Sequence, residues 1–305
     1  MTSLSIHVPA SSANLGPGYD TLGVALTLAN EFLIQPAPEK TTLHINNHPS
    51  GSLHSLCLEM IQAAEELFRR HTGKPALPLA ITLDDHVPIA RGMASSATIR
   101  LAILTALNHL WDTQLSSREL VLWASQLEGC SDNAAASYFG GLTASGIIQG
   151  ALLYYQFEMP DAIDFVAVSP VSQVKTDQAR AVFAPTISRA DAVHTLNRGI
   201  LLACALASGA FDDVGALLDD KIHQPDRQAN IPALRPLFDV IAAAKDAGAL
   251  GGYLSGSGST MMALTFQNKE SVAQAMQEAI RRHGMEAEIR FLKVDNQGIQ
   301  IHEIP

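Results

Sequence analysis

At 305 residues, 47% of them apolar, the chain has material for a large core and two domains. A formal net charge of −10, with no Lys/Arg stripe against it, argues against a nucleic-acid partner. No apolar run nears a spanning length, the start has no charged leader with an apolar segment, and three scattered cysteines make neither a disulfide framework nor a Cys-x-x-Cys site, so a cytoplasmic protein without a membrane partner is expected.

Leu4-Ser5-Ile6-His7-Val8 alternates and reads as a strand. Residues 9–23, Pro-Ala-Ser-Ser-Ala-Asn-Leu-Gly-Pro-Gly-Tyr-Asp-Thr-Leu-Gly, read as a loop or capped turn, long for a plain connection. Residues 36–51 form a polar strand–loop stretch. His44, His48 and His54 are the nearest approach to a histidine cluster, and a structural or surface role suits them better than a metal site. Leu56, Met60, Ala63, Leu67 and Phe68 recur at helical spacing, and Gly73-Lys74-Pro75 ends that helix.

A half-buried strand at Leu79-Ala80-Ile81-Thr82-Leu83 leads into Pro88-Ile89-Ala90-Arg91-Gly92-Met93-Ala94-Ser95-Ser96-Ala97 and then into a helix reaching about Trp111. A turn of small residues running into a helix start offers free N–H groups and a positive dipole end to an anion. It is equally a Ser-capped helix after a tight turn. With no Lys, it is not a P-loop. Ser116-Ser117-Arg118-Glu119 has capping-box spacing and opens another helix. That helix ends at Glu128-Gly129-Cys130-Ser131-Asp132-Asn133, followed by Gly140-Gly141. Taken alone, Glu128 and Asp132 are ordinary helix-end carboxylates.

The second domain is expected from about Pro160, giving 1–159 and 160–305. Phe165-Val166-Ala167-Val168 reads as a buried strand, and residues 174–182 carry Arg180. Ser188-Arg189-Ala190-Asp191 caps a helix holding the longest apolar run, residues 199–207, read as a buried core helix. Arg227 follows in Lys221-Ile222-His223-Gln224-Pro225-Asp226-Arg227. As isolated arginines, Arg180 and Arg227 would be solvated side chains. Residues 247–260 are a second Gly-rich loop with Ser255-Gly256-Ser257-Gly258-Ser259-Thr260, followed by a strand at 261–266. A helix at 272–283 and two alternating strands joined by a turn at Asp295-Asn296-Gln297-Gly298 follow.

Four of these blocks resemble motifs of the GHMP kinases. Residues 88–97 resemble the Pro-x-x-x-Gly-Leu-Gly-Ser-Ser-Ala phosphate loop, with Met93 for Leu and Ala94 for the second Gly. Residues 9–23 and 128–136 resemble blocks of the homoserine kinases within that family, with Cys130 for a substrate-holding His and Ala136 for Pro. Residues 255–260 resemble the third motif, with Ser259 for Pro.

The resemblance implies a two-domain α+β fold: an N-terminal domain like the second domain of ribosomal protein S5 and a ferredoxin-like C-terminal domain, with ATP between them. It implies ATP-dependent phosphorylation of a small amino acid's hydroxyl, homoserine first, in threonine biosynthesis. A kinase for another hydroxylated metabolite, or a non-catalytic ligand sensor on this fold, is the alternative. Pro88, Ala90, Arg91, Gly92, Met93, Ala94, Ser95, Ser96 and Ala97 would cradle ATP. Ser96 and Glu128 would hold Mg²⁺, and Asp132 stands at the base position of mevalonate-type relatives. Asn14, Asp20, Cys130, Arg180, Arg227 and Gly256 would meet the substrate, the two arginines gripping its carboxylate. A homodimer is compatible with the resemblance.

Overall fold

The computed structural model describes residues 3–46, 51–174 and 176–304. His48 and Lys175 lie outside the described residues. The chain runs β1 (Ser3–Ala13), β2 (Leu22–Pro36), β3 (Thr42–Ile45), α1 (Gly51–Thr72), β4 (Leu79–Asp84), α2 (Ser95–Leu110), α3 (Ser117–Glu128), α4 (Asp132–Phe139), β5 (Leu142–Ile148) and β6 (Ala151–Phe157). It continues with β7 (Asp164–Pro170), α5 (Thr176–Ala181), α6 (Arg189–Ser208), α7 (Val214–Leu217), α8 (Gln224–Asn230), α9 (Leu237–Asp246), β8 (Gly251–Leu254), β9 (Met261–Thr265), α10 (Lys269–Arg282), β10 (Ala287–Leu292) and β11 (Gln300–Ile304).

Two sheets organise the molecule. The first is β11-β1-β2-β4-β3, with β5 and β6 extending from the start of β2. Its core joins Leu4, Ile6, Phe32 and Ile34 to the buried face of α2 and to Ile61 and Phe68 of α1. The second sheet, β10-β7-β9-β8, is antiparallel throughout. With its helices it follows the β-α-β-β-α-β order of ferredoxin-like domains. Val166, Val168, Met261 and Ala263 pack there against Val240 of α9 and Met276 of α10. A third cluster, including Leu15, Met93, Leu202 and Tyr253, lies between the two units.

Several local expectations are corrected. The loop expected at 9–23 is strand as far as Ala13, because β1 bulges at Pro9/Ala10 and keeps pairing with β2. Only residues 14–21 turn, closed by Asn14 N–H bonding Leu22 O (2.7 Å) and Gly18 N–H bonding Asn14 O (2.9 Å). Inside the second Gly-rich stretch, residues 251–254 are the buried strand β8. The last two strands are not a hairpin: β10 pairs with β7, whereas β11 pairs with β1 in the other sheet. Their link is fixed by Asp295 Oδ1, which accepts the N–H groups of Gln297 and Gly298 (both 2.8 Å), and by Gly141 N–H on Asp295 O (2.7 Å). The apolar run in α6 is only partly a core segment. Leu202 and Leu206 are buried, but Ile200 and Leu201 are 56% and 54% exposed, because consecutive helical residues point around the axis and one stripe meets the core.

Candidate active site

α2 begins without a cap of its own. Ala94 occupies its N-cap position at φ 66°, makes no side-chain cap bond, and no acid lies in the first turn. The N–H groups opening this helix therefore lack a side-chain cap and lie at the positive end of its dipole. Two features hold the preceding turn against the second domain. Ser255 Oγ donates to Gly92 O (2.6 Å) and stands 2.7 Å from Ser12 Oγ. Thr260 N–H bonds Arg91 O at 3.1 Å and Val174 N–H bonds Ala90 O at 2.9 Å. Gly92 sits at φ 75°, and a Cβ there would lie 2.1 Å from Ser255 O, so only glycine fits. Ala94 shares the left-handed conformation without being glycine. Ala94→Gly should therefore stabilise the fold by about 1 kcal/mol, strain relief exceeding the glycine entropy term. A thermal melt checks it: Tm should rise by about 2 °C, and a fall would show Ala94 adapted to its place.

A cavity of about 630 Å³ opens at this helix start. Of the expected phosphate-loop residues, Ala90, Arg91, Gly92, Ala94, Ser95 and Ser96 line it; Pro88, Met93 and Ala97 do not. Met93 and Ala97 are fully buried, Met93 in the inter-domain core. Their side chains pack beneath the loop. All the expected acceptor-site residues line the same cavity: Asn14, Asp20, Cys130, Arg180, Arg227 and Gly256, with Glu128 and Asp132. Leu56, Glu59 and Met60 of α1 form another wall.

Glu128 ends α3, whose capping box at Ser116/Glu119 and left-handed Gly129 fix its two ends. Ser96 Oγ donates to Glu128 Oε2 (2.9 Å), and Arg100 Nη1 donates to Oε1. Arg100 was missed from the sequence, since it belongs to none of the motifs. Its only signal is its place four residues after Ser96, on the same helical face.

α4 also went unread in the sequence, hidden by its short run of alanines. It starts at Asp132, which is 2% exposed and accepts Asn133 N–H (2.7 Å). Burial pushes the Asp132 carboxyl up to about 6. Oxygen atoms of Asp20 and Asp132 and the sulfur of Cys130 lie within 4.8 Å of one another. Burial, with Asp132 beside it, raises the Cys130 thiol far above its usual range, so it is a neutral donor. His44 and His54 join no group of potential metal ligands among the described residues; His54 Nε2 bonds Leu43 O (3.0 Å).

The two arginines differ. Arg180 is half-buried and forks onto Asp20, Nη1 to Oδ2 at 3.0 Å and Nη2 to Oδ1 at 2.9 Å. Burial opposes its charge, but the Asp20 bonds outweigh it and hold the guanidinium above its ordinary value. Arg227 is 2% exposed. Its hydrogen bonds go to Ala179 O (3.2 Å), Gly256 O (2.8 Å) and His223 Nδ1 (3.1 Å). It makes no ion pair among the described residues. His223 donates from Nε2 to Gly16 O (2.8 Å), so Nδ1 accepts, and burial lowers its pKa to about 4. The buried Asp220 carboxylate receives three N–H groups, from Ile222, His223 and Gln224, and this turn aims α8 and Arg227 at the cavity. Asn14 is spent on structure: Nδ2 donates to Gly256 O and Oδ1 accepts Asp20 N–H, both at 3.0 Å.

An uncapped helix start, a carboxylate bonded by a serine in its first turn, and a buried aspartate share one cavity with an arginine that has no ion pair among the described residues. The family model for the GHMP kinases N terminal domain matches residues 59–141, and that for the GHMP kinases C terminal matches residues 202–284. The chain is 33% identical to a homoserine kinase of Moorella thermoacetica, across 96% of this chain and 98% of that one. It is 36% identical to a homoserine kinase of Crocosphaera subtropica, across 99% and 98%.

The chain belongs to the GHMP kinase family.

A crystal structure of homoserine kinase from Cytophaga hutchinsonii superposes on this GHMP kinase with a TM-score of 0.82 at 24% identity, covering 98% of this chain and 97% of that one. That likeness bears on the two-domain fold, which this GHMP kinase shares. No helix among its described residues is long and apolar enough to cross a membrane.

Proposed function

We propose that this kinase transfers the γ-phosphoryl group of ATP to the side-chain hydroxyl of L-homoserine, giving O-phospho-L-homoserine. The observation that carries the reading is Arg227. A buried guanidinium whose hydrogen bonds go to carbonyls and an imidazole, and which lies over the Tyr19 and Phe183 rings with no carboxylate partner among the described residues, favours an anion, and the α-carboxylate of an amino acid supplies one. The uncapped start of α2 takes the phosphates of ATP at the other side of the same cavity.

Ser96 and Glu128 offer a hydroxyl and a carboxylate, hard oxygen donors that fit Mg²⁺. When bound, the ion spreads the negative charge of the β- and γ-phosphates. The chain's own part is alignment. The loop at 90–96 fixes the donor, while Arg227 fixes the acceptor. Asp20, held by Asn14 and Arg180, meets the ammonium group. Asp132 takes the hydroxyl proton on its carboxylate oxygen as the new P–O bond forms and the bond to the ADP oxygen breaks.

Cys130 favours a second reading, a different hydroxylated metabolite, because a thiol lacks the reach of an imidazole donor. The test measures kcat/KM for homoserine, other hydroxylated amino acids and neutral alcohols, across pH. Homoserine should lead. Asp132 works only when ionised, so kcat/KM should fall about tenfold per pH unit below about 6 and level off above it. The same raised value makes folding favour the neutral acid, a stability contribution full below its unfolded value and lost as pH rises through about 6. A neutral alcohol as best substrate would sink the amino-acid reading. A flat acid limb would remove Asp132 as base.

A further inference from the structure

Arg100 stands one turn inside α2 from Ser96. Helical side chains lean toward the helix N-terminus, so its guanidinium reaches back over Ser96 toward the phosphate end. There it bonds Glu128 Oε1, while Ser96 Oγ holds Oε2. The side chains of Arg100 and Glu128 are only 16% and 11% exposed. Arg100 Nε is buried without a hydrogen-bond partner. Both oxygens of Glu128 are thus engaged by the chain's own groups, and one of those groups is a permanent cation.

A divalent ion arriving alone meets an occupied carboxylate and a like charge. Displacing the guanidinium would leave it buried and unpaired, which is strongly unfavourable. The phosphate site at the start of α2 is about 6 Å away along the helix, within reach of an arginine side chain. A bound nucleotide gives the guanidinium a new anionic partner and releases Glu128. We propose that Arg100 is a positioning residue that makes metal binding at Glu128 conditional on nucleotide: it holds the carboxylate when the cavity is empty and passes to the phosphates when they arrive. This rests on the reading of Ser96 and Glu128 as the Mg²⁺ donors.

The experiment uses the full chain and Mn²⁺ as the probe, titrated with and without ADP, and ADP titrated in chelator. Arg100→Met keeps the aliphatic stem and drops the charge. Without nucleotide it should bind Mn²⁺ about tenfold or more tighter than wild type, since a like charge has been removed from a poorly solvated site. In chelator it should bind ADP about tenfold more weakly. Arg100→Lys, which keeps the charge, should stay near wild type in the Mn²⁺ titration. Should Arg100→Met fail to fold, Arg100→Gln, able to bond Glu128 without charge, must show the same two shifts. A merely structural arginine would give no gain in Mn²⁺ affinity, and that result overturns the proposal. Glu128→Gln separates the two readings. If it leaves Mn²⁺ binding with ADP unchanged, the metal assignment itself is wrong. If it weakens that binding while Arg100→Met gains nothing, only the role of Arg100 falls.

Discussion

Glu128→Gln is expected to lower turnover on the order of 100-fold or more, the loss typical when a charge clamp on a phosphoryl transition state is removed. The substitution keeps volume and one acceptor, so the bond from Ser96 can survive. What disappears is the charge. The proposed Mg²⁺ site would then lack its anionic donor, and Arg100 is left as an uncompensated, mostly buried cation. The activity of the variant should need much higher Mg²⁺. Turnover and its Mg²⁺ dependence, measured together, decide the matter; full turnover with unchanged dependence would show that Glu128 holds no ion.

Arg227→Ala should cost about 2–5 kcal/mol in homoserine kcat/KM, the penalty for truncating one partner of a desolvated charge pair. ATP affinity should barely change, because Arg227 reaches the cavity from α8 and not from the phosphate loop. The variant also takes donors from Gly256 O and Ala179 O, so ATP affinity doubles as a check on folding. Arg180 is expected to matter differently. Its guanidinium neutralises Asp20, and a substrate ammonium entering near Asp20 competes with it. If Arg227→Ala leaves kcat/KM intact for a preferred neutral alcohol, the carboxylate assignment fails while the phosphoryl chemistry stands.

Most of this site was legible in the sequence because its chemistry is local. A small-residue turn entering a helix and a carboxylate closing the next helix are each written within about ten residues, and the resemblance tied them to roles. The fold was less legible where strand partners are distant. The turn at Asp295–Gly298 looks like a hairpin turn, yet nothing in it says that the strands on either side belong to different sheets. Ala94, which stands where the family motif has Gly, is held at φ 66° by the fold, a conformation its neighbours in sequence do not declare. Arg100 was invisible for another reason. A charged residue on a helix face reads as solvated, and only the fold brings α3 and Glu128 alongside. Arg227 was read through resemblance alone, because burial of a single guanidinium leaves no trace in the pattern around it.

The pairing of β11 with β1 has a consequence for how the protein is made. Ser3 faces Ile304 across that ladder, so β1 waits for a strand made after every other strand of the two described sheets. Until then, β1 offers a bare row of backbone donors and acceptors along one side, the kind of edge on which nascent chains stick to one another. The ferredoxin-like unit can close first, since its four strands lie between residues 164 and 292. The nucleotide-binding unit is sealed only after its neighbour exists, and shortening the chain at the β11 end would reopen that edge rather than trim a tail.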